Sequence, residues 1–275
     1  MNLYQKIFGP ICLVLFLGAH LTLLLTILTG GTDTSILKKF YWLETDCSPY
    51  PGAPVTGYCR WTNYGICGTT EATGGDNTDC TASVAAFPFD PARNFDSNVG
   101  LPLKFHTESK YYYYVSRIGY GFQLAGLGLL FLSFLVFFHL WFFDPQVSIS
   151  KIAFWVLFIG ASLFIIPGVS LSTAAYVKGR DVFSDAGHHA KIGVKAYATA
   201  WTTVACLFLI LLFAILMSKQ AGTLSFSRFR KGEGSGSLYT WVRRPVPAKE
   251  PVAPVTPEQY PDDTTLPTQP ENTTI

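Results

Sequence analysis

Charged residues are missing from four long stretches of this 275-residue chain. The stretches cover residues 7–29, 118–143, 152–177 and 196–217, and each holds 22 to 26 residues without Asp, Glu, Lys or Arg. About 20 apolar residues, at a rise of 1.5 Å each, cross the hydrocarbon core of a bilayer. This lack of charge excludes a soluble enzyme, a secreted disulfide-rich domain or a disordered regulator as a description of the whole chain. The sequence therefore predicts a membrane protein with four spans.

The sequence also lacks the motifs that indicate an enzyme. It contains no nucleophile elbow, Walker box, His-Glu-x-x-His motif or spaced pair of carboxylates. Apart from hydroxyl groups, the polar side chains within the four stretches are those of His20, Gln123 and His139. Acidic and permanently basic side chains, which mark proton and ion pathways in membranes, are absent there. We predict a non-enzymatic protein without cofactor or resident metal, and the same absences argue against a transporter.

Basic residues and cysteines together indicate which side of the membrane each segment occupies. The segment after the fourth stretch has a local excess of Lys and Arg, which marks the cytosolic side. The basic residues of the 178–195 loop argue the other way, although that loop also contains acids. Four of the six cysteines lie in residues 30–117, and an even set of cysteines outside the cytosol is typical of disulfides. We expect residues 30–117 to be extracellular and both termini to be cytosolic.

The four cysteines of this segment, Cys47, Cys59, Cys67 and Cys80, allow three pairings. We favour Cys47 with Cys59 and Cys67 with Cys80, because each pair closes a short loop rich in turn residues. Closing a loop of that size stabilises a protein by about 3 kcal/mol in the chain-entropy model. A four-cysteine metal site is the alternative, but the spacing lacks a Cys-x-x-Cys knuckle.

Short connections and small residues predict how the spans pack. Eight residues link the second and third stretches and 18 link the third and fourth, so neighbouring spans are antiparallel in a four-helix bundle. Gly119, Gly126 and Ser133 recur at intervals of seven in the second span. Helices in lipid approach closely at small residues, so these three predict a contact face, within the bundle or between copies in a homo-oligomer.

Short apolar runs broken by turn residues predict a small β-sheet in residues 30–117. The runs cover residues 37–43, 58–66 and 111–115. We expect a mainly α membrane fold in residues 1–217, with this disulfide-pinned extracellular sheet on the outer ends of the bundle. The charge of residues 30–117 is too balanced for a nucleic acid or another polyanion to be the partner.

Several motifs resemble the fungal Sur-seven/PalI family over residues 1–217. They are Phe40-Tyr41-Trp42-Leu43, Arg60-Trp61-Thr62-Asn63-Tyr64-Gly65-Ile66-Cys67 with a later Cys80, and Phe87-Pro88-Phe89-Asp90-Pro91. That family resembles claudins in layout, which supports pairing Cys67 with Cys80. Tyr64 stands where the family usually has tryptophan, and Cys47 and Cys59 are additional. The resemblance implies a claudin-like fold whose family-motif residues are Trp42, Trp61, Tyr64, Gly65 and Cys67.

The same resemblance implies a role in the cell. It implies a tetraspan scaffold in the eisosome patches of the fungal plasma membrane, with eisosome or cortical proteins as partners. Cortex organisation, endocytosis, sphingolipid balance and cell-wall integrity are the processes it implies. A PalI-like accessory subunit of an ambient-pH sensing complex is the alternative, and a claudin-like adhesion or pore-lining module is a third hypothesis.

A cluster of acids and histidines follows the third span, at Asp181, Asp185, His188 and His189. On a continuous helix their spacing would place them on one face, where they could hold a divalent metal or respond to pH. A solvated charged loop is the simpler interpretation.

A second cluster follows the fourth span and consists of Lys219, Arg228, Arg230 and Lys231. Basic residues beside a span suit the anionic inner leaflet, so we predict a lipid-binding site there, for a phosphoinositide or a sphingolipid. An ordinary topology anchor is the alternative. The cytosolic segment 218–275 ends in residues 245–275, which contain eight prolines and few large apolar residues. Such a tail cannot bury a core and is expected to be disordered.

Overall fold

The computed structural model describes residues 3–30, 37–69, 75–143 and 148–220. All of the described residues belong to one unit of the chain, Met1–Phe226. The described helices are α1 (Leu3–Ile27), α2 (Pro91–Asn94), α3 (Leu103–Thr107), α4 (Ser109–Phe142), α5 (Ser148–Asp185) and α6 (Val194–Gln220). The described strands are β1 (Leu43–Asp46), β2 (Tyr58–Trp61), β3 (Ile66–Thr69) and β4 (Ala190–Ile192).

The predicted four-span fold is confirmed. Four helices, α1, α4, α5 and α6, are long and apolar enough to cross a membrane. The apolar segment of α4 has 34 residues and that of α5 has 37. At 1.5 Å per residue, each is longer than the hydrocarbon core of about 30 Å. The first turns of α4 and the last turns of α5 therefore extend beyond the bilayer on the side where the sheet lies.

Close approach of backbones joins α4 to α5. The buried positions of α4 alternate at intervals of three and four residues, which is the spacing of a left-handed helix contact. They are Tyr112, Ser116, Gly119, Gln123, Gly126, Leu130, Ser133 and Phe137. The three small residues that the sequence predicts as a contact face thus all lie inside the bundle. A Cβ added at Gly119 would lie 2.6 Å from Ser172 Oγ and 3.1 Å from the Gly168 carbonyl oxygen.

We expect Gly119→Leu to destabilise the protein by about 1 to 3 kcal/mol, because a larger side chain would push α4 away from the backbone of α5. The matched control is Gly121→Leu, since a Cβ at that position meets nothing within 4 Å. The measurement is the midpoint of thermal unfolding of the purified protein in detergent. Equal midpoints for the two variants would contradict a requirement for close helix contact at Gly119.

Hydroxyl groups join α1 to α6. Thr22 Oγ1 lies 2.8 Å from Thr203 Oγ1, and Thr26 Oγ1 donates to Thr199 Oγ1 at 3.0 Å. Hydrogen bonds of this kind hold helices together where no hydrophobic force acts between them. Phe16 of α1 is fully buried at the centre of the bundle, with ring centroids of α4 and α5 between 5.4 and 6.4 Å away.

The sheet combines both loops on one side of the bundle. Its order is β3-β2-β1-β4, with every pair antiparallel. Strand β4 comes from the loop between α5 and α6, so the sheet extends beyond the segment in which the sequence predicts it. The predicted strand at 111–115 is wrong, because these residues belong to α4, where Tyr112 continues the row of buried positions. The run at 37–43 contributes only Leu43 to a strand, and Leu37–Lys39 forms a 3-10 turn.

Candidate functional site

Two disulfides hold the strands of the first loop. Cys47, just after β1, is bonded to Cys59 of β2, and Cys67 of β3 is bonded to Cys80. This is the pairing that the short loops favour. All four sulfur atoms are thereby committed, which leaves no thiolate in this segment for the alternative metal site.

Trp42 and Asn63 attach the sheet to the ends of the helices. The Trp42 ring is fully buried and stacks on Tyr176 of α5 at 5.4 Å, with Tyr197 of α6 at its edge. Its Nε1 donates to Asn63 Oδ1 at 2.8 Å. The Asn63 amide in turn donates to the carbonyl oxygens of Thr26 and Ile27, at 2.7 and 3.0 Å. These carbonyls belong to the last turn of α1, where carbonyl groups lack the regular i+4 donors of a continuing helix.

An aromatic cluster fills the space between the sheet and α4 and α5. Trp61 of β2 is fully buried, with the ring centroids of Phe89 and Phe183 at 5.4 and 5.9 Å. Phe89 also contacts Tyr112 of α4 at 5.5 Å. Its backbone N–H donates to Ser116 Oγ at 3.0 Å. The Phe-Pro-Phe motif therefore connects the first loop to α4.

The turn between β2 and β3 carries the remaining motif residues. Thr62 Oγ1 donates to the Gly65 carbonyl oxygen at 2.9 Å and accepts the Gly65 N–H at 3.1 Å. A Cβ at Gly65 would lie 2.6 Å from Thr81 Oγ1, so a larger residue would displace the segment that leads from Cys80. The Tyr64 hydroxyl lies 3.4 Å from that of Tyr120 in α4.

A buried ion pair occupies the other face of the sheet. Arg60 of β2 and Glu44 of β1 are both fully buried, and Arg60 Nε donates to Glu44 Oε2 at 2.7 Å. Arg60 Nη1 donates to the Gly75 carbonyl oxygen at 2.6 Å and to Asn77 Oδ1 at 3.2 Å. The Tyr41 ring covers the guanidinium at 4.5 Å. Glu44 pairs with Arg60 across the two strands, which places the opposite charges side by side.

A second buried acid, Asp90, precedes α2. Its Oδ2 accepts a hydrogen bond from Ser109 Oγ at 2.6 Å and lies 3.2 Å from Arg93 Nε. Burial raises the pKa of the Asp90 carboxyl, and the contacts with Ser109 and Arg93 offset only part of that rise. Asp90 ties α2 to the first turn of α4 and has no open space around it for a substrate, since its side chain is fully buried.

This architecture is matched by one family of membrane proteins. The sequence model of the SUR7/PalI family matches residues 8–213, which include the sheet, α4, α5 and most of α1 and α6. The chain belongs to the SUR7/PalI family.

Curated yeast proteins are similar to this SUR7/PalI chain. The SUR7 family protein FMP45 of Saccharomyces cerevisiae is 35% identical over 215 residues, which cover 78% of this chain and 66% of that protein, just under two thirds of its length. Protein SUR7 of Candida albicans is 32% identical over 210 residues, covering 76% of this chain and 72% of the relative. A Saccharomyces cerevisiae protein named as an uncharacterized plasma membrane protein is 32% identical over 222 residues, covering 80% and 70%.

The predicted metal or pH cluster of this family member is dispersed in the structure. Helix α5 ends at Asp185, and Gly187 adopts a positive φ of 83° that turns the chain out of the helix. Asp181 pairs with Arg180, and Asp185 lies 3.4 Å from Lys104 Nζ. His188 packs on Tyr50, whereas His189 Nε2 lies 3.9 Å from Glu44 Oε1. Within the described ranges, no group of three or more His, Cys, Asp or Glu could hold a metal ion.

The predicted lipid-binding cluster falls mostly outside the described residues. Lys219 lies in the last turn of α6, and Arg228, Arg230 and Lys231 are beyond residue 220. The inner-leaflet site therefore stays a prediction.

Sequence reasoning missed the Arg60–Glu44 pair, the contact of Asn63 with α1, and β4. The run at 58–66 indicated a strand but gave no sign that Arg60 would be buried. An arginine between a disulfide cysteine and a motif tryptophan was the available signal. Strand β4 has three residues and carries no comparable pattern.

Proposed function

We propose that this SUR7/PalI protein is a non-enzymatic tetraspan scaffold of a fungal plasma-membrane microdomain, the eisosome compartment. In this role it supports cortex organisation, endocytosis and cell-wall integrity. Its partners are eisosome or cortical proteins together with membrane lipids.

One observation carries the proposal: the two outer loops form a single sheet that is attached to all four spanning helices. Asn63 bonds to α1, Phe89 to α4, and Trp42 packs on α5 and α6. A transporter needs helix ends that move between two arrangements and charged groups at membrane depth. In this chain the helix ends on the sheet side are joined through one sheet, and the four uncharged stretches contain no Asp, Glu, Lys or Arg. Helix ends joined in this way and uncharged stretches suit a protein that assembles with others in one patch.

The proposed topology places the sheet outside the cell and both termini in the cytosol. Two disulfides support this side for the sheet, since thiols stay reduced in the cytosol. The C-terminal segment then presents Lys219, Arg228, Arg230 and Lys231 to the anionic inner leaflet, where a phosphoinositide or sphingolipid would be bound. A protease added to intact cells should leave a C-terminal tag uncut. Removal of the tag would overturn the topology.

The experiment that tests the function is fluorescence imaging of the full chain in a fungal cell. A C-terminal fluorescent fusion is expected in fixed cortical patches that recover slowly after photobleaching and coincide with an eisosome marker. The matched control is the Gly121→Leu variant, which has open space at the altered position and should form the same patches. A diffuse plasma-membrane distribution would contradict the scaffold. If deletion of the protein also abolished the response to alkaline medium, the pH-sensing alternative would replace it.

A further inference from the structure

We propose that the pocket between β4, α5 and the start of α6 binds the phosphate group of an anionic lipid in the leaflet on the sheet side. This site lies at the opposite end of the bundle from Lys219. It goes beyond the proposed function and uses the proposed topology only to name the leaflet as the outer one.

Half of the residues that line the pocket are basic. It has a volume of about 710 Å³, and the described residues that line it include no acid. Five of the lining residues are cationic, and each comes from a different element or turn: Lys39, Arg60, Arg180, Lys191 and Lys195. Cationic residues around a cavity that can hold a headgroup favour a polyoxygen anion as the ligand.

Much of this charge has no internal counterion. Among the described residues, no acidic side chain lies within ion-pair distance of Lys191 or Lys195, and both side chains are exposed. Lys39 has only a long, exposed contact with Asp76, at 3.7 Å. Arg60 is paired with Glu44 and Arg180 with Asp181, so the positive charge available to a bound anion comes mainly from Lys191 and Lys195.

Arg60 provides a donor that the protein leaves unused. Its side chain is fully buried, and its Nε and Nη1 donate to Glu44, Gly75 and Asn77. Its Nη2 is buried and has no hydrogen-bond partner among the described residues. A buried donor left in this state is costly, and a phosphate oxygen reaching it from the pocket would remove that cost.

The start of α6 adds to the attraction for an anion. Helix α6 begins at Val194, has 27 residues and carries no acid in its first turn. The positive end of its macrodipole and its first backbone N–H groups therefore lie beside Lys195, at the pocket wall. Lys195 itself is unfavourable at a helix N-terminus, and a bound anion would neutralise both charges.

The position of the pocket favours a lipid over a soluble anion. Val194, which lines the pocket, is also the first residue of the apolar spanning segment Val194–Met217. Its side chain is 74% exposed, and the neighbouring Ile192 lines the same pocket. A phosphate in the pocket thus lies at the depth of lipid headgroups, with apolar side chains beside it for the acyl chains.

The test is a titration of fluorescent phosphatidylinositol into the purified full chain in a neutral detergent. We expect saturable binding that weakens about thirtyfold in the double variant Lys191→Gln, Lys195→Gln, from the usual contribution of basic residues near an anionic lipid. The matched control is Lys104→Gln, Lys110→Gln. Lys104 and Lys110 lie on the same side of the bundle and do not line the pocket. Their replacement removes the same amount of positive charge. The control should bind within twofold of the unchanged protein.

Four outcomes would overturn the proposal. The first is non-saturable binding by the unchanged protein. The second is equal weakening in the two double variants, which would indicate general attraction between charges. The third is equally tight binding of fluorescent oleate, which carries no phosphate. The fourth is full displacement of the lipid by inorganic phosphate at equal concentration, which would indicate a soluble anion. The measurement uses purified protein, so it is independent of whether the protein forms cortical patches.

Discussion

Replacing Arg60 by methionine is expected to destabilise the protein by about 3 to 5 kcal/mol. The substitution removes the cation that neutralises the fully buried carboxylate of Glu44, 2.7 Å away. It also removes the donors to the Gly75 carbonyl oxygen and to Asn77. Removing one charge of a buried pair is far more costly than removing both, because the remaining charge cannot regain its hydration. The variant should unfold at a much lower temperature and should reach the plasma membrane in small amounts.

The double variant Glu44→Gln, Arg60→Met separates charge burial from loss of packing. It removes both charges while keeping side chains of similar length, so we expect it to recover most of the stability that Arg60→Met loses. Thermal unfolding in detergent and the fraction of protein at the cell surface are the two measurements. If the double variant were as unstable as the single one, the loss would come from the hydrogen bonds of Arg60 and not from the ion pair.

Trp42→Ala is expected to produce a loss of similar size, about 3 to 5 kcal/mol. The indole is fully buried between the sheet and the ends of α5 and α6. Its removal leaves a cavity and also deprives Asn63 Oδ1 of its 2.8 Å hydrogen bond. Because Asn63 connects the sheet to α1, the backbone amides of the whole sheet should exchange with solvent more readily. Hydrogen exchange of β1 and β2 in the detergent-purified protein would measure this, together with the unfolding midpoint.

Two control variants make the Trp42 result specific. Trp42→Phe keeps an aromatic ring in place and loses the N–H, so it should cost about 1 to 3 kcal/mol, the cost of leaving a buried acceptor unsatisfied. Trp201→Ala removes an indole of α6 that is 45% exposed on the bundle surface, and it should leave β1 and β2 protected. If hydrogen exchange of β1 and β2 increased as much in Trp201→Ala as in Trp42→Ala, a role of Trp42 in attaching the sheet would be contradicted.

The four spans could be predicted from the sequence because the bilayer imposes one condition on every residue at depth. Charge is excluded there, so gaps in charge mark each crossing. Absence of charge does not predict how far a helix continues beyond the bilayer. Helix α4 therefore begins at Ser109, before the uncharged stretch starts at Ile118, and α5 continues to Asp185. The start of α4 includes Lys110 and Arg117, which a criterion based on charge places outside the span.

The sheet was harder to predict because its decisive contacts are distant in sequence. The pairing of β1 with β4 places Glu44 opposite Lys191. Neither strand has a sequence pattern from which the other could be predicted as its partner. Burial of Arg60 also depends on long-range structure, since its guanidinium is covered by Tyr41 and bonded to Gly75 and Asn77. By contrast, the two disulfides join cysteines only 12 and 13 residues apart, so their pairing could be predicted from the local sequence.

The union of the two loops in one sheet also sets an order for biosynthesis. Both disulfides lie within the first loop, so an oxidising compartment can form them while the ribosome is still translating the second half of the chain. The sheet remains incomplete at that stage, because β4 emerges only after α5 has been inserted. Helix α1 must likewise wait for α6, the last helix to enter the membrane and the source of its threonine contacts. Nascent chains stalled before Ala190 would thus be oxidised yet unfinished, and quality control in the secretory pathway could distinguish them from complete molecules by their exposed β1 edge.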